Sequence, residues 1–248
     1  MTMLSVTIIT LNEEKDLARC LESVGGFADE IVVVDSGSKD KTVEIAKKFG
    51  AKVFVRKFDA YANQKNFALG KTSGDWTFSI DADEEVSPEL AEEIKGAVRS
   101  DRFVAYTIPR QNIIFGKFIK HTRWDPELDR HVWLWKKGSG RWVGDVHEEV
   151  LVDGPVGALK NVKVHHQYET VSEFFDMIDR YSELEATEKT KKGTKFDLLR
   201  LFLDPFYNFC VRYFYRKGFL DGWHGFVLSY LMAIYYVCAW IKIWQKQG

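Results

Sequence analysis

Asp81 and Asp83 stand two positions apart at the end of an apolar run, Trp76, Phe78 and Ile80, and Glu84 and Glu85 follow directly. In extended backbone, residues at i and i+2 point to one side. Two carboxylates that close repel each other, and burying them unpaired is costly. Such a pair makes a seat for Mg2+ or Mn2+, hard ions that take oxygen ligands and keep positions for substrate phosphate. The plainer reading is acidic decoration before a helix, where carboxylates favour the positive dipole end. Glu84, Glu85 and Glu89 can serve that purpose without the pair. Three further stretches carry chemistry. "VGDVHEEV" offers His147, Glu148 and Glu149, and "VHHQY" offers His165 and His166. Neutral imidazole suits Mn2+, so either histidine could complete a metal sphere, although a hydrogen-bonded histidine at a strand end is the commoner case. "FGKFIKHTRWDP" sets Lys117, Lys120, His121, Arg123 and Trp124 in one predicted loop. There Trp124 could stack on a sugar and the cations could meet acceptor phosphates, or the loop is simply solvated.

The elements that must position these residues alternate in type. Leu4–Thr10 is a nearly continuous apolar run, as expected of a strand covered on both faces. Asn12 reads as the N-cap of a helix with Leu17, Cys20, Leu21 and Val24 on one stripe. "EIVVVDSGS", "KVFVRKF" and "WTFSIDAD" are three more strands, separated by a helix ending at Gly50 and a short helix near "YANQKNFALG". Ser87 and Pro88 open another helix as N-cap and first turn. Strands alternating with helices imply parallel βαβ units in a doubly wound α/β sheet. Ligands in such sheets bind beyond the carboxyl ends of the strands. Thr10, Asn12 and Glu13, then Asp35 and Ser36, then Asp81 and Asp83 all arrive at that edge. From Phe103 to Tyr168 strands and loops take over and extend the sheet, partly antiparallel. From Thr170 the chain is helical.

Composition narrows the classes. With 248 residues, 46% hydrophobic and 29% charged, the chain folds around a full core. A net charge of −1 gives no general reason to bind nucleic acid. Three cysteines form neither a metal spacing nor an even disulfide set, which points to a reducing compartment.

The stretches "VTIITLNEE", "EIVVVDSGSKDKTVEIAKKFGAKVF", "YANQKNFALGKTSGDWTFSIDADEE" and "GDVHEEV" resemble successive motifs of the family 2 glycosyltransferases. The likeness is strongest to bacterial β-1,4-glucosyltransferases of lipopolysaccharide-core assembly, whose tail pattern "YRKGFLDGWHGFVLSYLMAIYY" matches. The resemblance implies a GT-A, Rossmann-like mixed sheet and an inverting, metal-dependent transfer from a nucleotide-sugar. The donor implied is a UDP-sugar, and the acceptor a lipid-linked or lipopolysaccharide-core saccharide. It implies that Thr10, Asn12 and Glu13 line the nucleotide pocket and that Asp35 holds the base. Asp81 and Asp83 would hold the metal and Glu148 would be the general base, while His166 is the further ligand that the residues themselves offer. Lys65 stands where the pattern usually carries arginine, keeping the charge but not the planar fork. Trp124, Arg123 and His147 fall on the acceptor side. "DPELDRHVWLWKKG" departs from the pattern by placing His131 and Trp133 around Arg130.

The tail fits a membrane surface. Eight lysines and arginines lie between Lys189 and Lys217 against Asp197 and Asp204, and 16 of the 36 aromatic residues lie between Phe196 and Trp244. Phe226–Ile241 is sixteen residues without a charge, short of the roughly 20 that a spanning helix needs. The expected organisation is a catalytic domain over 1–168 and a helical region over 169–248. The latter would sit peripherally or monotopically on the anionic cytoplasmic face of the inner membrane, or form a homo-oligomer interface. Two other functions compete. A nucleotidyltransferase would carry a glycine-rich phosphate loop after the first strand, and "TLNEEKD" has no glycine. A non-catalytic sugar-nucleotide-binding scaffold would not need Asp81, Asp83 and Glu148.

Overall fold

The computed structural model describes residues 2–100, 102–144 and 148–247. In chain order the elements are β1 (Leu4–Thr10), α1 (Leu17–Gly25), β2 (Glu30–Asp35), α2 (Thr42–Lys48), β3 (Lys52–Val55), α3 (Tyr61–Leu69), β4 (Trp76–Ser79), β5 (Glu84–Val86) and α4 (Pro88–Val98). There follow β6 (Ala105–Ile114), β7 (Lys117–Phe118), β8 (Arg130–Lys136), β9 (Gly140–Val143), β10 (Glu149–Val152), β11 (Val156–Ala158) and β12 (Lys163–Tyr168). Helices α5 (Val171–Lys191), α6 (Leu198–Cys210) and α7 (Trp223–Gln245) complete the chain. Two compact units result. One takes the chain up to Arg110 together with Asp129–His165, and the other takes Gln111–Leu128 together with everything from His166.

In the first unit β3, β2, β1 and β4 run parallel in that order. The sheet then reverses direction, with β8 antiparallel to β4 and β6 antiparallel to β8. β1 is apolar along its length because both faces are covered. Leu4, Val6 and Ile8 meet the buried stripe Leu17, Cys20, Leu21 and Val24 of α1. Val32 and Val34 of β2 pack with Ala68 of α3. Each such fully buried aliphatic side chain contributes roughly 1.5–3 kcal/mol. Helix α4 starts as its sequence implies, with the Ser87 hydroxyl accepting the Leu90 amide and Pro88 in the first turn. Gly50 closes α2 at φ +76°, a conformation open to glycine.

Three local expectations change. Helix α1 begins at Leu17, so Asn12 does not cap it. Glu84–Val86 is not a helix approach but strand β5, antiparallel to β12. β9 and β10 form their own two-stranded ribbon instead of extending the main sheet. The backbone of Trp142 in β9 is occupied by the Asn66 side chain of α3, which accepts the Trp142 amide at 3.0 Å and donates to its carbonyl at 2.8 Å.

The second unit is built on α5 and α7. Thr170 and Glu173 form a reciprocal capping box that starts α5. Phe174 and Ile178 of α5 share a core with Ile114, Ile119, Leu228, Leu231 and Met232, and Ala186, Trp240 and Ile243 continue it. α7 runs 23 residues and contains an 18-residue stretch with a mean hydropathy of 1.7, long and apolar enough to cross a membrane. One flank is nevertheless polar, since Lys242 pairs with Asp179 at 2.7 Å, Lys246 with Glu183, and the Tyr235 hydroxyl with Glu185. α6, in contrast, buries only Pro205.

Candidate active site

The loops that end β1 and β2 form one wall. Thr10 Oγ1 donates to Asp35 Oδ2 at 3.1 Å, and Asp35 Oδ1 accepts the amides of Gly37 and Ser38 at 2.9 Å each. The Ser38 hydroxyl also donates to Asp35 Oδ2. All four lone-pair positions of this buried carboxylate are therefore taken, and a base reaches Asp35 only by displacing one of them. Asn12 adopts a left-handed conformation, φ 58°. Its amide donates to Ser38 Oγ at 2.8 Å and its Oδ1 accepts the Lys39 amide at 2.9 Å. Asn12 thus staples one loop to the next. Gln64, wholly buried on α3, donates to Ser36 Oγ at 3.0 Å and fixes the far side of the wall.

Beside this wall the charge is strongly negative. Burial first, then the facing carboxylates of Asp83, Asp16, Asp40 and Asp81, raise the Glu13 carboxyl to about 7. Asp83 meets the imidazole of His165, Nε2 to Oδ2 at 3.1 Å. Consecutive residues on a strand face opposite ways, so His165 reaches Asp83. His166, the expected ligand, belongs to the second unit and lines a cavity of about 400 Å³ with Ile113, Phe115, Gly116, Tyr168 and Glu169. Among the described residues no three His, Cys, Asp or Glu side chains gather as a metal cluster. The chemistry of Asp83 and His165 fits a divalent cation that would take its other ligands from outside these two side chains, and the surplus of carboxylates around Glu13 is the field such an ion would relieve.

Asp81, expected to share the metal with Asp83, is instead paired with a lysine of α3, since β4 ends at Ser79 and the two aspartates no longer lie on one strand. Lys65 Nζ lies 3.1 Å from Asp81 Oδ1 and 3.0 Å from Glu148 Oε1, so one buried ammonium bridges both carboxylates. Its Nζ also sits 4.5 Å from the Trp142 ring centre and 5.4 Å from that of Trp133. Burial alone would lower the Lys65 pKa, but the Asp81 and Glu148 charges outweigh it and hold it above the ordinary lysine value. Burial likewise raises the Asp81 carboxyl, and Lys65, Lys163 and Arg110 overcome this to hold it well below the usual carboxylate range. Glu148 reaches this position because the β9–β10 ribbon docks on α3 through Asn66.

Beneath these groups runs a layer that sequence reasoning missed. Glu84 accepts the Asp81 amide at 2.9 Å and the Lys163 ammonium at 2.5 Å on the same oxygen, Oε2. Arg110 lies 3.5 Å from Glu84 Oε1 and grips Asp129 with both Nε and Nη2 at 2.9 and 3.0 Å. Lys163 Nζ stands 3.2 Å over the Trp133 ring. The available signal was Lys163 in "NVKVHH", a cation at an inward position of an alternating strand. Trp133, a departure from the family pattern, is the surface on which Lys163 and Lys65 both rest.

Two acceptor-side expectations fall elsewhere. Arg123 and Trp124 belong to the second unit, where Trp124 packs edge-on against Phe174, so its ring is half-buried core and not an open stacking platform. The neighbouring loop is tied down, as Asp221 accepts the amides of Lys120 and His121 at 3.2 and 2.9 Å and meets His121 Nδ1 at 3.1 Å. His147 lies outside the described residues.

Residues 5–148 match the family described as glycosyl transferase family 2, more than half of the chain and the span that carries Asp35, Asp81, Asp83 and Glu148. The chain belongs to this family. Among its family 2 relatives, an uncharacterized glycosyltransferase of Rickettsia typhi is 33% identical over 94% of this chain and 84% of its own. The lipopolysaccharide core biosynthesis glycosyltransferase LpsC of Rhizobium meliloti is 31% identical over 99% of this chain and 93% of its own. In structure, glucosyl-3-phosphoglycerate synthase from Mycobacterium tuberculosis, in complex with Mn2+ and uridine diphosphate, overlaps 45% of this chain and 44% of that one, at 24% identity and a TM-score of 0.39. As a family 2 glycosyltransferase the chain has the GT-A nucleotide-sugar-binding fold, and the alternative of a nucleotidyltransferase falls.

Proposed function

We propose that this enzyme is an inverting, metal-dependent glycosyltransferase that moves a sugar from a UDP-sugar to a lipid-linked or lipopolysaccharide-core acceptor at the cytoplasmic membrane face. The observation that carries the catalytic reading is the Lys65 bridge, which brings Asp81 of the sheet edge and Glu148 of the ribbon to one ammonium. In this reading Thr10, Asn12, Glu13 and Asp35 form the nucleotide wall. Asp83 and His165 would hold Mg2+ or Mn2+, which when bound neutralises charge on the departing diphosphate.

The chain's own groups supply the rest. Glu148, ion-paired with Lys65, takes the proton of the acceptor hydroxyl. The freed oxygen forms its bond to the anomeric carbon as the bond from that carbon to the phosphate oxygen breaks. The electron pair leaves with the nucleoside diphosphate, on the face opposite the attack, and the configuration inverts. Lys65 holds positive charge beside both reacting ends and Trp142 keeps water from it.

The acceptor class rests on the likeness to LpsC and on the second unit's surface. α6 turns Leu198, Leu199, Phe202, Leu203, Phe206 and Tyr207 to solvent, with Phe202 and Phe206 68% and 69% exposed. Cations from Lys189 to Lys217 flank this apolar face, and the charge pattern suits anionic lipid. The polar flank of α7 favours lying on the membrane over crossing it. All three cysteines are unpaired, in keeping with the cytoplasmic side.

A screen of nucleotide-sugars with membrane-extracted acceptor, reading nucleoside diphosphate release with and without a chelator, tests the reading. Acceptor-dependent release that stops with chelator supports it. Release that needs no acceptor and no cation from any donor would overturn it.

A further inference from the structure

In the second unit Arg123, Arg212 and Arg216 make no ion pair with a carboxylate among the described residues. Arg212 lies on the π-helical turn Val211–Tyr215 that follows α6 and is 5% exposed. Its Nε and Nη1 are buried without a hydrogen-bond partner among the described residues, and so is Nε of Arg216. The Arg212 guanidinium lies 5.2 Å from the Trp124 ring centre. Burial pulls its pKa down to about 10, Tyr236 opposes this as a hydrogen-bonding partner, and the Arg123 charge adds to the fall. The groups acting on Arg212 are thus a hydroxyl and another cation.

The backbone brings the turns that carry these cations together. Thr122 donates its amide to the Arg216 carbonyl at 3.0 Å, clamping the turn that carries Arg123 and Trp124 onto the one that carries Arg216. Thr122 and Lys217 both hold left-handed conformations, φ 65° and 56°, which cost energy in non-glycine residues. Gly218 lets the two turns touch, because a Cβ there would lie 2.8 Å from the Arg212 carbonyl oxygen and 2.9 Å from Thr122 Cγ2. Strained backbone, like charges and unpartnered guanidinium donors at one place call for an anion. π-helical turns recur at functional sites.

We propose that Arg123, Arg212 and Arg216 form a phosphoryl-binding site. Planar guanidinium forks match phosphate oxygens in pairs, and a phosphomonoester brings close to two negative charges to offset three cations. Arg212, seated on Trp124, is the fixed fork. Arg123, exposed, and Arg216, half-buried, close over the phosphate from the solvent side. Tyr215, Phe219, Leu220 and Trp223 surround this stretch in sequence as exposed apolar residues, the setting of a lipid headgroup. The phosphoryl group comes from a membrane lipid or from a soluble phosphate, and the two sources share the same recognition.

The test uses the full chain and reads binding, so it stands whether or not transfer is observed. Inorganic phosphate is titrated against the protein by calorimetry, at ionic strength held constant with chloride. Flotation with phosphatidic acid vesicles and with phosphatidylcholine vesicles forms the second arm. Phosphate binding by the wild type, weakened roughly tenfold in Arg216→Gln and in Arg123→Gln, supports the site for any accessible phosphate. A response confined to phosphatidic acid vesicles and lost in the same variants supports it with lipid as the source. Lys192→Gln removes an equal charge from an exposed position and should bind as the wild type does. Arg212 is buried, so its replacement would confound binding with folding, and the two outer variants carry the test without it. Wild-type protein that responds to neither probe, or outer variants that bind like Lys192→Gln, would overturn the proposal and leave water on the guanidinium donors.

Discussion

Lys163 and Glu84 form an ion pair with neither side chain exposed, and the oxygen that takes the lysine also takes the Asp81 amide. The first aspartate of the "DAD" turn is therefore set by an interaction three residues along and by a strand far away in sequence. Removing one partner of such a pair leaves a buried charge uncompensated and typically costs about 3–5 kcal/mol. Lys163→Met should lower the unfolding free energy by that amount in urea titration. The double change Lys163→Met with Glu84→Gln should cost less than the sum of the singles. Additive losses would mean that the two groups do not act as a pair.

The two histidines of "VHHQY" should separate cleanly. His165→Ala should raise the Mn2+ concentration needed for donor binding by roughly 10–100-fold, because a partner of Asp83 is lost. His166→Ala should stay within about twofold. Asp83→Ala should nearly abolish cation-dependent donor binding while the far-ultraviolet circular dichroism is kept. The reverse ranking of the histidines, read by calorimetry of UDP-sugar with Mn2+, would return the metal to His166.

Glu148→Gln keeps shape and accepts a hydrogen bond from Lys65, but it takes no proton at neutral pH. Turnover should fall by roughly 10²–10⁴ with donor affinity little changed. Glu149, exposed on β10, serves as its neighbour, and Glu149→Gln should be mild. A dead Glu149→Gln beside an active Glu148→Gln would move the base by one residue.

Glu13 makes stability depend on pH in the metal-free protein. Its folded carboxyl is raised from 4.5 to about 7, so the folded state holds the proton over a range where the unfolded state has released it. Stability from this group is full below about 4.5 and is lost as pH rises through 7. Urea midpoints in chelator should fall from pH 5 to pH 8, and Glu13→Gln should flatten that part of the slope. An identical slope in the variant would place the titration elsewhere.

Phe202→Glu and Phe206→Glu on the exposed face of α6 should cut co-sedimentation with anionic vesicles, and high salt should weaken binding of the wild type. Unchanged sedimentation of both variants, with a shift from oligomer to monomer, would assign the face to contact between copies of the chain.

The residues at the strand ends were legible because each closes or follows a strand whose apolar pattern marks it. Thr10, Asp35 and Asp81 could be placed on one edge from those patterns alone. Asn12 was misplaced, since an asparagine before a helical stripe reads as a cap, and only the neighbouring loop shows that its side chain is used sideways. The buried layer of Glu84, Arg110, Asp129 and Lys163 was illegible because its partners lie 19 to 79 residues apart and each looks like surface charge by itself. Glu148 was readable by family likeness. Its route to Lys65 was not, because a side-chain amide docks the ribbon where a strand was expected.

That docking has a bearing on how relatives of this enzyme can diversify. The wall of Thr10 and Asp35 and the approach to Asp81 are woven into a continuous hydrogen-bonded sheet, where an insertion or a register slip would disturb every neighbour. The ribbon is held by the clasp of Asn66 on Trp142, by Val150 and Val152 against the core and by the Glu148–Lys65 pair. It can be reshaped so long as those contacts survive. On the proposed reading, the nucleotide groups and the base then sit on separate pieces of chain, and selection can alter the second without disturbing the first.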